Sequence, residues 1–77
     1  GVALASQRVL EELAAGNKDY EAKFGYIFIV CATGKTASEM LALLQERLHN
    51  SPEVEIVRAM EEQNKITRLR LEKLLGL

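Results

Sequence analysis

The stretch FIVCATGKTASEM, Phe28 to Met40, decides between two folds. Read as an apolar strand, a Gly-Lys-Thr loop and a helix, it is the phosphate cradle of a nucleotide-binding α/β domain. That loop requires G-x-x-x-x-G-K-[ST], because the first glycine lets the chain turn with its amides facing the phosphates while the lysine reaches the outer ones. Five residues before Gly34 stands Ile29, a β-branched residue that cannot take that glycine's conformation. A nucleotide-hydrolysing domain also requires strands and a magnesium carboxylate, for which 77 residues leave no room. The other reading is a glycine-containing turn into a capped helix. In Thr36-Ala-Ser-Glu39 the hydroxyl is spaced to accept from a free amide of the first turn while the glutamate reaches back, which is a capping box. An anion held singly at that helix start is the only phosphate-like chemistry left to the motif.

Working outward, the fold reads as all-α. Upstream, Val2, Ala5, Val9, Leu13, Asn17 and Tyr20 recur at steps of three or four and share one face of a helix ending near Lys23. FGYIFIV is short, aromatic and β-branched, and reads as a buried extended link. Downstream of Thr36, the buried stripe is Ala37, Met40, Leu41, Leu44 and Leu48. Ser51 then supplies an N-cap oxygen, Pro52 suits the first helical position, and Glu53 and Glu55 favour the positive end of the helix dipole. Three helices are predicted, over about 2–23, 36–49 and 52–75, in one bundle-like unit without repeats or a linker.

Composition restricts the function. Ten basic and eleven acidic residues are dispersed, giving a formal charge of −1, so there is no basic footprint for nucleic acid. No apolar run approaches the roughly 20 residues that span a bilayer. Cys31 is the sole cysteine, which precludes an intramolecular disulfide and a thiol zinc cluster and fits a reducing compartment. The chain opens GVALASQRVL, without Met and already helical in pattern, so it is expected to be a fragment; the final LGL is not a peroxisomal tripeptide, so a bacterial-type cytoplasm is expected.

On the third helix, Ile56, Ala59, Gln63, Ile66, Arg70, Leu74 and Leu77 fall on one stripe at about 100° per residue. Glu61, Lys65, Arg68 and Glu72 form a charge ladder on the other side. Arg70 therefore projects along the apolar stripe, where a guanidinium must snorkel to water, pair with a carboxylate, or clamp a ligand anion through its planar fork. His49 lacks a nucleophile or carboxylate partner by spacing, and Cys31 reads as core. The adjacent acids Glu11 and Glu12, and Glu61 and Glu62, point about 100° apart and read as solvated faces.

Several ordered motifs resemble one family. N-x-x-Y-x-x-K-F-G-Y-x-F-I (Asn17 to Ile29), R-L-x-N (Arg47 to Asn50), Glu55 and K-I-T-R-L-R-L (Lys65 to Leu71) are similar to the C-terminal part of OHCU decarboxylase. That family converts 2-oxo-4-hydroxy-4-carboxy-5-ureidoimidazoline to (S)-allantoin, the last step from urate. The resemblance implies an all-helical fold, a homodimer, and chemistry without metal or organic cofactor. It further implies that Arg70, in I-x-x-x-R-L, binds the ureidoimidazoline substrate, and that Phe28 and Ile29 line its pocket. The family's proton-transferring histidine, in His-Pro-Asp, and its substrate-contacting Glu-Gln pair lie upstream and are absent from these 77 residues. No residue here is therefore assigned a catalytic role, and the chain alone is expected to be inactive unless that segment is supplied by a companion chain or belongs to the same polypeptide outside these 77 residues. The alternative is a non-catalytic helical interaction module.

Overall fold

The structure, a computed structural model, describes the backbone of residues 2–76 and the side chains of residues 7–76. It consists of α1 (Val2–Phe24), α2 (Ala37–Arg47) and α3 (Pro52–Leu75), with no strand among the described residues. The predicted faces of Val2 and Ala5, and Leu77, lie outside the described side chains. α1 ends at Gly25, whose φ of 84° is open to glycine without strain and whose N–H closes on the Glu21 carbonyl at 2.8 Å. The capping box at α2 is present: Thr36 Oγ1 accepts from the Glu39 N–H and Glu39 Oε1 from the Thr36 N–H, each at 3.1 Å. These two bonds with Thr36 hold the Glu39 carboxyl below its ordinary range. α2 is shorter than predicted, stopping at Arg47, because a turn over Leu48 to Asn50 is needed to admit the Ser51 cap and Pro52 of α3.

α1 and α2 pack closely at Gly16, where an added Cβ would sit 2.6 Å from Leu44 Cδ2. The buried apolar residues are Tyr20, Cys31, Leu41, Leu44 and Ala59. Among the described residues, this small core is joined by three buried charged ones, Arg47, Glu55 and Glu62. Glu55, fully buried on α3, is the hub. Its Oε1 accepts from Tyr20 of α1 at 2.5 Å and from Arg47 Nε of α2 at 2.6 Å, and its Oε2 from Asn50 Nδ2 at 3.0 Å. Arg47 Nη2 reaches the same Oε1 at 2.5 Å as an ion pair, without the direction of a hydrogen bond. Lys23, at the end of α1, donates to the Leu48 carbonyl and stands 5.0 Å from the Phe24 ring centroid. All three helices are thus tied to one carboxylate.

The buried face of α3 differs from the expected one. It carries Glu55, Ala59, Glu62 and Ile66, whereas Gln63, Arg70 and Leu74 are exposed. The true face is rotated by roughly 60° from the apolar stripe, less than the 100° of one residue. Glu62, expected in a solvated face, is 2% exposed. Apolarity misplaced the face because its polar positions are the ion-pairing ones.

The molecule is a thin layer of 40 × 34 × 15 Å with a radius of gyration of 14.0 Å. A compact chain of this length has a radius near ~11.5 Å. Its surface, 5699 Å², likewise exceeds the roughly 4,700 Å² of a compact monomer of this mass. Val57, Met60, Leu71, Leu74 and Leu75 are exposed on α3.

Burial pushes the Glu55 carboxyl up, but the hydrogen bonds from Arg47, Tyr20 and Asn50, with the guanidinium charge, outweigh it and hold it below its ordinary value of 4.5. The Tyr20 hydroxyl is pushed the other way, by burial and then by the Glu55 carboxylate. A carboxyl lowered on folding contributes stability that is complete above its unfolded value and is lost as pH falls through its folded value. Urea unfolding followed by circular dichroism from pH 7 downwards should therefore lose stability below about pH 5, and Glu55→Gln should be less stable at neutral pH with a flatter acid limb. An acid limb unchanged by the substitution would contradict the hub role of Glu55.

Candidate active site

Between α1 and α2, the link Gly25–Lys35 crosses the layer without a sheet or helix to satisfy its backbone. Its backbone bonds at the two ends are Gly25 N–H to Glu21 and Lys35 N–H to Ala32. Between these, side chains hold it. Arg47 Nη1 donates to the Ile29 carbonyl at 2.5 Å, and Glu62 Oε1 accepts from the Cys31 N–H at 3.1 Å. Lys35 Nζ donates to the Cys31 carbonyl at 2.9 Å. The lysine of Gly-Lys-Thr is thus turned back onto its own loop, and Gly34, at φ 74°, makes the turn.

The structure brings Arg70 to the link, but to its second half. A cavity of about 350 Å³ is walled by Val30, Cys31, Ala32 and Thr33 on one side and by Ile66, Leu69, Arg70 and Lys73 of α3 on the other. That volume falls in the range of small-molecule sites, and its lining is apolar apart from two cations and Thr33. Among the described residues Arg70 has no salt bridge, and the buried carboxylates Glu55 and Glu62 pair with Arg47 and Lys65 instead. Arg70 and Lys73, three residues apart on one face, are the site's positive charge.

Phe28 and Ile29 stand elsewhere. Phe28 is half-buried, its ring centroid 5.2 Å from that of Tyr20 and 4.6 Å from Arg47 Cζ, an aromatic and cation-π sandwich. With Ile27 it lines a separate depression against Ala14, Asn17, Lys18 and Glu21 of α1. Ile29 is half-buried with its carbonyl on Arg47. Neither walls the Arg70 cavity within this chain. His49 is exposed in the turn after α2, and among the described residues no group of three or more His, Cys, Asp or Glu is placed to hold a metal.

Lys73 and Glu62 were not singled out from sequence as parts of this site. The signal for Glu62 was its spacing: Glu62, Ile66 and Arg70 stand at steps of four on one side of α3. Burial pushes the Glu62 carboxyl up, but Lys65, whose Nζ is 2.5 Å from Oε2, and the Cys31 N–H hold it below its ordinary range. Docking of the link on α3 leaves Cys31 only 7% exposed. Its thiol should accordingly react with a colorimetric disulfide reagent far more slowly in the native protein than in urea. Equal rates would show that the link is undocked.

The described geometry can be set beside known proteins. A family model described as OHCU decarboxylase matches residues 1–72. The chain is 53% identical over 72 residues to the Uric acid degradation bifunctional protein TTL of Arabidopsis thaliana, covering 94% of this chain and 22% of that protein. It is 41% identical over 59 residues to the 2-oxo-4-hydroxy-4-carboxy-5-ureidoimidazoline decarboxylase of Amia calva, covering 77% of this chain and 34% of that one. The crystal structure of OHCU decarboxylase in the presence of (S)-allantoin superimposes with a TM-score of 0.88 at 51% identity, over 91% of this chain and 49% of that chain. This chain therefore spans about half the solved relative and a smaller share of the curated ones. With the family model matching residues 1–72 and the helices superimposing on the solved relative, the chain belongs to the OHCU decarboxylase family.

Proposed function

We propose that this chain forms the C-terminal half of a decarboxylase acting on 2-oxo-4-hydroxy-4-carboxy-5-ureidoimidazoline to give (S)-allantoin in urate degradation. The observation that carries the reading is Arg70: exposed, unpaired among the described residues, and set on the wall of a small cavity of otherwise largely apolar lining. In the reaction, the bond between a ring carbon and the carboxylate breaks and carbon dioxide leaves. The electron pair passes into the conjugated ring, and a proton returns to one face. The protein's task is orientation, electrostatics and delivery of that proton.

A guanidinium helps such a step only where charge grows. Bound to the departing carboxylate, it would stabilise the ground state more than the transition state, since the carboxylate loses its charge as carbon dioxide forms. Arg70 therefore acts best on an oxygen of the ring system that gains charge, with its planar fork also fixing the ring's plane. Phe28 and Ile29 contribute through the link, as the part of the substrate pocket that closes when the rest of the domain is present. The proton-transferring histidine and the substrate-contacting glutamate come from that remaining part, in the same polypeptide or a companion chain. Cofactor-independent chemistry is part of this reading.

In the complete protein, Arg70→Ala should lower kcat/KM by on the order of 10²-fold, and Arg70→Lys should recover little because the fork is lost. A near-normal rate in Arg70→Ala would sink the assignment.

The exposed apolar residues of α3 support a second element of the proposal, that the working unit is an assembly, with the rest of the domain and a second copy covering these faces. They equally favour the alternative of a non-catalytic interaction module. Sedimentation of the 77-residue chain should show self-association under either reading. Calorimetry on the complete protein separates them: (S)-allantoin should bind if the site is catalytic, and absence of binding by any ureido heterocycle favours the module.

A further inference from the structure

The Glu62 carboxylate is 2% exposed, although glutamate is almost never buried without a partner. Its two oxygens are divided. Oε2 meets Lys65, an exposed cation that could find water equally well. Oε1 takes the Cys31 N–H, a buried amide at the centre of a segment with no ladder or helix to receive it. Left without that acceptor, the amide would be a buried orphan, and the link would have to lift or twist to reach water.

Cys31 is at the middle of the Val30–Thr33 wall, and Arg70 lies two turns along α3 from Glu62. The carboxylate thus joins the two walls at one end of the cavity, with Ile66 between it and the guanidinium. Nothing else fixes this part of the link to α3 by a hydrogen bond among the described residues; Arg47 acts on the Ile29 carbonyl, earlier in the link, and from α2. Lys35 grips the Cys31 carbonyl but belongs to the link itself.

We propose that Glu62 is a positioning residue for the site: by receiving the Cys31 N–H it sets the distance and register between the Val30–Thr33 wall and Arg70, and so the fit of the bound heterocycle. This rests on the reading of the Arg70 cavity as the substrate site. Three variants of the complete protein test it. Glu62→Ala should raise KM on the order of tenfold, with a smaller change in kcat, because a wall displaced by a fraction of an ångström weakens the fit before it disables the chemistry. Glu62→Gln keeps an acceptor for the amide and should restore KM to within about threefold. Lys65→Met removes the ion pair and leaves the acceptor, so it should lower Tm slightly while KM stays unchanged.

A purely structural glutamate would behave otherwise: Glu62→Ala would lower the folded fraction, and with it kcat, at an unchanged KM, and Lys65→Met would follow in proportion to its Tm. Either pattern overturns the proposal. Amide exchange at Cys31, read by NMR without turnover, should accelerate in Glu62→Ala and not in Glu62→Gln; unchanged exchange in Glu62→Ala also overturns it. Failure of the underlying reading looks different, since the unsubstituted protein would then lack decarboxylase activity, or Arg70→Ala would leave it intact, whatever the Cys31 amide does.

Discussion

The pair Arg47–Glu55 is the constraint on which the remaining structure depends. Each helix contributes one group to it: Tyr20 from α1, Arg47 from α2 and Glu55 from α3. The link contributes the Ile29 carbonyl. Taking two charges out of water costs several kcal/mol per ion in practice, and the cost is offset only where geometry and extra hydrogen bonds are good. Here Glu55 receives three side-chain donors, and the guanidinium is stacked on Phe28. Loss of either partner would strand a buried charge, at a cost of about 3–5 kcal/mol. With only five buried apolar residues among the described ones, such directional contacts fix the relative placement of helices that hydrophobic packing alone would leave loosely specified.

That arrangement explains why the family-like motifs from α1 to the start of α3 read as they do. Arg47 and Asn50 reach Glu55 across the short turn between α2 and α3, and Tyr20 reaches it from α1, thirty-five residues away, so that all meet at one carboxylate. They are structural residues, and their chemistry is spent on one another. Arg70 and Lys73 stand apart from this network, which leaves their charge available.

Local features were legible because their causes are local. Thr36 and Glu39 close a capping box within four residues, Ser51 and Pro52 start α3, and Gly34 turns the chain where a phosphate loop was excluded by Ile29. The face of α3 was not legible. Apolar periodicity counts Ile56, Gln63 and Leu74 towards the interior and leaves Glu62 in a solvated face, whereas Glu55 and Glu62 are both interior because they have partners on α2 and the link. Such long-range pairing leaves no trace in a window of one helix. The same limit applies to the site: Arg70 stood out as a cation on an apolar stripe, but which stretch of the link faces it follows from the Cys31 contact with Glu62, thirty-one residues away.

The 15 Å thickness of the molecule has an electrostatic consequence. An α-helix with its side chains is about 10–12 Å across, so the chain is essentially one helix deep, and water reaches both broad sides. Arg70 therefore works in a high-dielectric setting, where a unit charge about 4 Å away is worth about 1 kcal/mol, against about 4 kcal/mol at an effective dielectric constant of 20. A guanidinium attracts an anion weakly in an open layer and would attract it strongly beneath a second. Were an anion to bind here, its affinity and the closure of a covering layer would be linked quantities: exclusion of water from the cavity would strengthen the grip, and the bound anion would stabilise the covered state by the same free energy.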